Sequence, residues 1–233
     1  MCIRDSYGSK IMPWYKSTFG HNTIVVDSQN QKRTKENDAD LWLGDADLEA
    51  ARSRTSEAYE GVTHTRTVVR VHDYFVIVDE LTSDASHTYD FYLRAEGELS
   101  LAGEAPDDAA VEPPCPWLEE LRAGAPRDRL QAHWTRGKAG LALAMTGRAI
   151  TPIRGRCPAE SGSRMIPILI ARQRGKTATF HTVLMPFNQS ADLAVGRLPG
   201  GLEIHHGATV DRLTLPPDGK PTLTRTPADT AKP

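Results

Sequence analysis

The sequence predicts an all-β fold, an antiparallel stacked-sheet β-sandwich with few or no helices. Three observations lead to this prediction. Short segments rich in β-branched and aromatic residues recur along the chain, about a dozen in all. Polar turns separate them, and the spacing of apolar residues that marks an amphipathic helix is scarce. Many short antiparallel strands are typical of two packed sheets.

The 233 residues suffice for one large β domain or two small ones, and 39% of them are hydrophobic. The formal net charge of -2 lacks the basic excess that binding of nucleic acid requires. No apolar run approaches the roughly 20 residues of a membrane helix. Phosphate-binding glycine loops and the GxSxG nucleophile motif do not occur.

The chain divides into three parts. Residues 1–6, MCIRDS, resemble the translated remnant of a sequencing adapter and lack the features of a signal peptide. We therefore expect the natural protein to begin upstream. Residues 7–215 carry the predicted sandwich domain, and the Pro-rich residues 216–233 are expected to form a disordered tail.

In the first half, residues 22–26 predict a strand, and His72-Asp73 a two-residue turn between strands at 63–71 and 74–79. The apolar segment 74–79 predicts a central strand that is buried on both faces. Here Asp79 and Glu80 diverge as neighbours in a strand would, which favours a strand-end turn over a catalytic carboxylate pair.

In the second half, residues 116–123 predict one short helix with Pro at its first turn. Residues 165–173 and 177–185 predict a hairpin across Arg174-Gly175. Strand segments at 202–206 and 208–215 complete the pattern.

Three cysteines occur, Cys2, Cys115 and Cys157, and none forms a CxxC pair, which argues against a thiolate zinc site. Cys115 and Cys157 lie in Pro- and Gly-rich segments. One disulfide in an oxidising compartment and two free thiols are both consistent with their positions.

Two histidines, His21 and His64, each stand where a strand begins, with Asp38 and Asp40 between them. Imidazole nitrogens and a carboxylate oxygen suit zinc or another divalent metal. The alternative is that both histidines make only hydrogen bonds at the sheet edge. The strand histidines His87, His133 and His181 are expected to be packed or paired rather than catalytic. The neighbours His205 and His206 are expected to point to opposite faces, one to the surface and one to the core.

The aromatic pair Trp14 and Tyr15, followed by Lys16, offers flat faces that could stack on a sugar ring and a cation for a uronate carboxylate. The alternative is a loop that is anchored by aromatic packing.

Three segments carry a resemblance to a known family: YGSKIMPWYKSTFGHNTIVVDSQNQ at 7–31, YEGVTHTRTVVRVHDYFVIVDEL at 59–81 and HTYDFYLRAEGEL at 87–99. They resemble the C-terminal β region of the heparinase II/III-like polysaccharide lyases, which include alginate and oligoalginate lyases. The HNT motif with its apolar run and Asp, and the Tyr-x-Gly-Val-x-His-x-Arg segment, are the most specific parts.

The resemblance implies β-elimination on a uronate-containing polysaccharide, in a periplasmic or secreted enzyme that also has an N-terminal α/α toroid, which this chain lacks. It implies that His21 is the cleft or metal histidine and His64 the second metal histidine, with Asp38 or Asp40 as the carboxylate. Two positions depart from the family pattern, because Phe19 and Arg94 stand where some members have histidine.

The leading functional hypothesis is therefore the β-sandwich part of a lyase that is inactive alone and acts on an acidic polysaccharide or oligosaccharide. The alternative is a non-catalytic carbohydrate-binding or structural β module.

Overall fold

The fold is all-β and antiparallel, as the sequence predicts. The structure, a computed structural model, describes residues 11–34, 38–42, 48–103, 109–159, 162, 164–217 and 219–228. Within that part of the chain, no helix has the length and apolarity to cross a membrane. The elements are α1 (Met12–Lys16), a 3-10 turn (Thr18–Gly20), β1 (Ile24–Val26), β2 (Asp38–Trp42), β3 (Leu48–Tyr59), β4 (Val62–Val71), β5 (Tyr74–Arg94), β6 (Glu98–Leu101), β7 (Ala109–Ala110), β8 (Glu119–Ala123), β9 (Arg127–Arg136), β10 (Ala139–Pro158), β11 (Met165–Asn188), β12 (Leu193–Leu198), β13 (Gly201–His206), β14 (Thr209–Thr214) and β15 (Thr222–Pro227).

Over the described residues the strands form an eleven-stranded sheet and a four-stranded sheet. The large sheet runs β2-β3-β4-β5-β11-β10-β8-β7, with β1 paired to β5 and with β9 bridging β10 and β6. The small sheet runs β12-β13-β14-β15. Successive side chains of a strand point to opposite faces, so the long central strands can support a separate core on each face.

Three apolar clusters result. One includes Phe91, Trp134 and Phe180 and lies within the large sheet. A second joins β3, β4 and β5 to the small sheet. The third packs α1 and the 3-10 turn against one face of β1, β5, β10 and β11, and its largest buried member is Trp14. This third cluster positions the segment that carries the HNT motif.

The central strand β5 is hydrogen-bonded to β4 and β11, and β4 joins it through the predicted two-residue turn. The prediction that residues 74–79 are buried on both faces is wrong, because Phe75 is 42% exposed and Ile77 is only half-buried. The prediction that Asp79 ends the strand is wrong, since β5 continues to Arg94.

Two other element predictions are wrong. Residues 165–188 form one continuous strand, β11, and not a hairpin across Arg174-Gly175. Because β11 pairs with β5 on both sides of this point, Gly175 produces only a shift of register, with a φ of 147°. Within the predicted helix at 116–123, residues 119–123 form β8, which pairs with β10 and β7.

The expected disordered tail at 216–233 is ordered in part, because Thr222–Pro227 forms β15 on the edge of the small sheet. The Arg225 side chain anchors this strand to the buried carboxylate of Asp211. Residues 1–6 and 229–233 lie outside the described residues.

Candidate functional site

The HNT segment runs antiparallel alongside β5. Its strand pairs Ile24 with Phe91, and the amide of Tyr92 donates to the carbonyl of Thr23 over 2.9 Å. The preceding turn places Phe19 edge-on against the ring of Tyr92, with centroids 5.9 Å apart. Apolar packing therefore fixes both ends of the segment, and its polar residues lie at the surface.

Asn22 is held at the surface by two side-chain bonds to the backbone of Arg94. Its Oδ1 accepts the Arg94 amide at 3.0 Å, and its Nδ2 donates to the Arg94 carbonyl at 3.4 Å. Through these two bonds the Asn22 side chain continues the pairing with β5 ahead of β1. The segment is therefore fixed before the strand begins.

His21 is exposed, and its Nε2 lies 3.0 Å from the backbone oxygen of Tyr15. A carbonyl oxygen can only accept, so Nε2 must carry the proton. In the neutral ring the lone pair is then on Nδ1. The backbone of α1 thus selects one tautomer of an exposed imidazole, an arrangement that suits proton transfer or ligation through Nδ1.

The second segment of the site contains a buried carboxylate, Asp79, which is 0% exposed. The guanidinium of Arg66 binds it through two parallel bonds, Nε to Oδ1 at 2.7 Å and Nη2 to Oδ2 at 3.0 Å. Nε2 of His64 donates to the same Oδ1 at 2.6 Å. Strand register explains the contact, since Arg66 in β4 lies directly opposite Asp79 in β5.

Burial by itself raises the pKa of Asp79, but the charge of Arg66 and the hydrogen bonds from His64 and Arg66 outweigh it and hold that pKa below its ordinary value. The carboxylate is therefore ionised at neutral pH. A buried ion pair of this kind depends on all of its partners, because either charge left alone is costly.

Arg66 connects the two segments. Its Nη1 donates to the carbonyl of Asn22 at 3.1 Å, and its guanidinium lies 6.0 Å from the ring centroid of Phe91. The candidate site is therefore one continuous set of contacts: His21, Asn22, Arg66, Asp79 and His64.

The predicted metal ligands do not converge among the described residues. His64 is bonded to Asp79, and Asp38 lies opposite Arg54 in the register, lining a polar pocket with Thr63 on the other face of β4. No group of three or more His, Cys, Asp or Glu side chains in the described residues could hold a metal ion. The described side chains by themselves therefore do not form the implied zinc set.

Asp40 pairs with Arg52 in the backbone register of β2 and β3. Its side chain lies outside the described residues. A metal set that includes Asp40 stays a prediction.

Trp14 is 0% exposed, and its ring packs against Trp117 at 6.2 Å and under the guanidinium of Arg94 at 5.7 Å. This burial matches the packing alternative rather than a stacking platform for sugar. Tyr15 is half-buried, and its hydroxyl donates to the carbonyl of Ala159 at 3.2 Å.

Sequence reasoning did not assign Asp79 or Arg66 to the site, although the sequence holds the signal. A two-residue turn at His72-Asp73 fixes the register of the strands on either side. Counting outward from the turn places Arg66 opposite Asp79. The sequence could therefore have shown that an arginine and an aspartate meet on one face of this hairpin.

Most of the other histidines are packed or paired, as expected. His87 donates from Nδ1 to Asp27 at 2.6 Å, and His206 donates from Nε2 to Asp211 at 2.9 Å. His205 pairs with Glu203 at 2.9 Å. His133 packs edge-on against Phe187 at 6.0 Å. Burial lowers the pKa of His181 to about 4.

Cys115 and Cys157 are free thiols in the same apolar cluster. Burial raises the pKa of Cys157 to about 11, so this thiol is protonated at neutral pH. Cys2 lies outside the described residues.

Solved structures share this fold. A heparinase III matches with a TM-score of 0.60 and 18% identity over 95% of this chain and 32% of its own. A heparinase III with methylated lysines gives a TM-score of 0.58 at 18% identity, over 94% of this chain and 32% of its own. The heparan sulfate lyase HepC from Pedobacter heparinus gives 0.52 at 16%, over 96% and 32%.

The chain thus spans about a third of the length of these solved structures. No curated protein sequence matches it. Residues 5–167 match the sequence family described as heparinase II/III-like, C-terminal, and this segment includes every residue of the candidate site. The chain therefore belongs to the heparinase II/III-like C-terminal domain family.

Proposed function

We propose that this chain is the β-sandwich part of a polysaccharide lyase that cleaves a uronate-containing glycan, heparan sulfate-like or alginate-like, by β-elimination. The observation that carries the proposal is the position of the site within the family match: the exposed imidazole of His21 lies on the HNT segment, beside Asn22 and Arg66. The solved structures that share the fold are a heparinase III and a heparan sulfate lyase, which supports the same class.

The reaction removes the proton at C5 of the uronate and expels the oxygen at C4, which takes up a proton. The C5–H bond and the C4–O bond break and a C4–C5 double bond forms. An acid and a base are needed, together with a cation or hydrogen-bond donor that stabilises the carboxylate while negative charge builds up on it. No oxidant or reductant takes part.

We assign to His21 a role in proton transfer, as an acceptor through Nδ1, because that nitrogen bears the lone pair and the ring is exposed. The remaining catalytic groups belong, in this proposal, to an N-terminal α/α toroid that faces the site. A substrate carboxylate would meet positive charge here. The backbone of Arg94 is hydrogen-bonded to the Asn22 side chain, and the guanidinium of Arg66 is bonded to the Asn22 carbonyl.

The test compares the chain alone with the longer enzyme that joins it to its upstream domain. Each is incubated with heparan sulfate, with alginate and with a neutral glucan, and the ultraviolet absorbance of an unsaturated uronate is recorded. The longer enzyme should produce it from one acidic glycan and not from the glucan, and His21→Ala should reduce the rate by at least about a hundredfold.

The chain alone should give no product. Robust turnover by the chain alone would overturn the assignment of the missing groups to an upstream domain. Binding of acidic glycan by the longer enzyme without any turnover would instead favour the non-catalytic carbohydrate-binding module.

A further inference from the structure

We propose that Arg66 is the positioning residue of this site: its guanidinium, aimed by Asp79, holds the carbonyl of Asn22 and so fixes the exposed imidazole of His21. The proposal rests on the proposed lyase function for its purpose, because it concerns the same histidine. The contacts on which it rests lie within the folded chain and do not involve substrate.

Asp79 aims the guanidinium. Two parallel bonds, of 2.7 and 3.0 Å, use the Nε and Nη2 edge of Arg66, which leaves Nη1 pointing away from the carboxylate. A fork held at two points cannot rotate, so the direction of Nη1 is set by the strand pair. His64 completes the clamp by bonding the shared Oδ1 at 2.6 Å.

Nη1 then reaches the HNT segment, where it donates to the carbonyl of Asn22 at 3.1 Å. The side chain of Asn22 is fixed separately by the backbone of Arg94. Between them, these bonds hold Asn22, the residue that follows His21, by its carbonyl and by its side chain. The imidazole is held on its other side by the carbonyl of Tyr15 at 3.0 Å.

The implied metal set uses other residues, since among the described residues the guanidinium is bonded to Asp79 and to the carbonyl of Asn22, and not to the implied ligands His21, His64 or Asp38. The guanidinium is a fixed positive charge that joins a buried carboxylate to the HNT segment. In this chain, order in the HNT segment should depend on the arginine and not on a metal ion.

Two measurements on the chain test this at one pH and without substrate: hydrogen exchange of the Thr23 amide, which donates to the His21 carbonyl at 3.0 Å, and the ¹⁵N shifts of the His21 ring, which report its tautomer. Arg66→Gln with Asp79→Asn removes the guanidinium together with the charge it balances, so the fold persists. Exchange should accelerate at least about tenfold, and the ring should become a mixture of tautomers.

Arg66→Lys keeps the positive charge but removes the planar guanidinium that makes two parallel bonds. An ammonium can neutralise Asp79 but cannot form the two-point contact and still reach Asn22. It should therefore behave like the double variant. Arg70→Gln is the matched control, because Arg70 lies on the same strand but is exposed and pairs with Glu49. It should leave both measurements unchanged.

Wild-type behaviour of the double variant, or of Arg66→Lys, would overturn the proposal, and so would an equal effect from Arg70→Gln. A chelator should change neither measurement in the wild-type chain. If chelation releases the segment as the double variant does, a metal and not Arg66 holds it. Since no reaction is monitored, failure here is distinct from failure of the lyase assignment.

Discussion

The Nε2 of His64 donates to Oδ1 of Asp79 across 2.6 Å, within a pair of strands where the carboxylate is fully buried. This contact gives both residues a structural partner that spacing along the chain does not reveal. It also links the two family motifs, because the same carboxylate orients Arg66 toward the HNT segment.

Asp79→Asn should destabilise the chain by about 3–5 kcal/mol at neutral pH, because Arg66 loses its buried counter-charge. Urea unfolding monitored by circular dichroism measures the change. Glu49→Gln, which breaks an exposed pair with Arg70, should leave the urea midpoint unchanged. Equal midpoints for Asp79→Asn and wild type would contradict this reading of the cluster.

The same carboxylate gives the stability a defined pH dependence. The folded pKa of Asp79 is lowered, so its contribution is present above the unfolded value of about 3.8 and is lost as the pH falls through the folded value. Wild type should lose stability at acid pH more steeply than Asp79→Asn. Parallel unfolding curves from pH 6 to about pH 2 would show that Asp79 is not the linked group.

Replacement of Trp14 should affect stability and not glycan binding. Trp14→Ala should cost about 3–5 kcal/mol, because the ring is fully buried against Trp117 and Arg94. Trp14→Phe should keep the fold and, if the proposed lyase function holds, the affinity of the proposed longer enzyme for an acidic oligosaccharide, measured by calorimetry. A folded Trp14→Phe variant that has lost that affinity would restore the stacking role predicted from sequence.

His181 should make the chain sensitive to mild acid. Burial lowers the folded pKa of His181 to about 4, below the unfolded value of 6.5. Its ring is neutral in both states above pH 6.5, and between there and pH 4 the unfolded chain binds the proton first. Up to about 3 kcal/mol of stability should be lost across this window.

His181→Gln should remove that loss, because glutamine does not titrate but can still donate to the carbonyl of Thr146. The free energy of unfolding is measured at pH 7, 5.5 and 4.5, about the span of the window. His205→Gln, at an exposed ring that pairs with Glu203, should retain the loss that His181 causes. If His181→Gln also loses stability between pH 6.5 and about 4 as the wild type does, the His181 ring is not buried in its neutral form.

Tyr74→Phe should weaken the attachment of the small sheet. The Tyr74 hydroxyl donates to Oδ2 of the buried Asp211 at 2.6 Å, beside His206 and Arg225. Loss of this bond should cost about 1–3 kcal/mol and raise the pKa of Asp211 from about 2. Urea unfolding and carboxyl ¹³C titration measure the two effects.

Tyr59→Phe is the control for that variant, because its hydroxyl donates to the carbonyl of Ile24 at 2.9 Å and not to a carboxylate. It should leave the titration of Asp211 unchanged. An unshifted Asp211 in Tyr74→Phe would mean that His206 and Arg225 alone account for its low pKa.

The sequence by itself determined the fold class and the family. Alternating apolar residues and tight turns require antiparallel strands, and the HNT and His-x-Arg motifs lie within the family match. The lengths of the strands were harder to predict. β11 runs through Gly175, because pairing with β5 on both sides outweighs the local preference of glycine for a turn.

Only the tertiary structure decided which side chains meet. The turn at His72-Asp73 already sets Arg66 opposite Asp79, but only the folded sheet brings the Arg66 guanidinium to the carbonyl of Asn22 and places Asp38 opposite Arg54. The fold likewise buries Trp14, which the sequence left open between core and surface. The physical reason is that side-chain partners across a sheet follow from hydrogen-bond register, and residues distant in sequence acquire a register only when the sheet is complete.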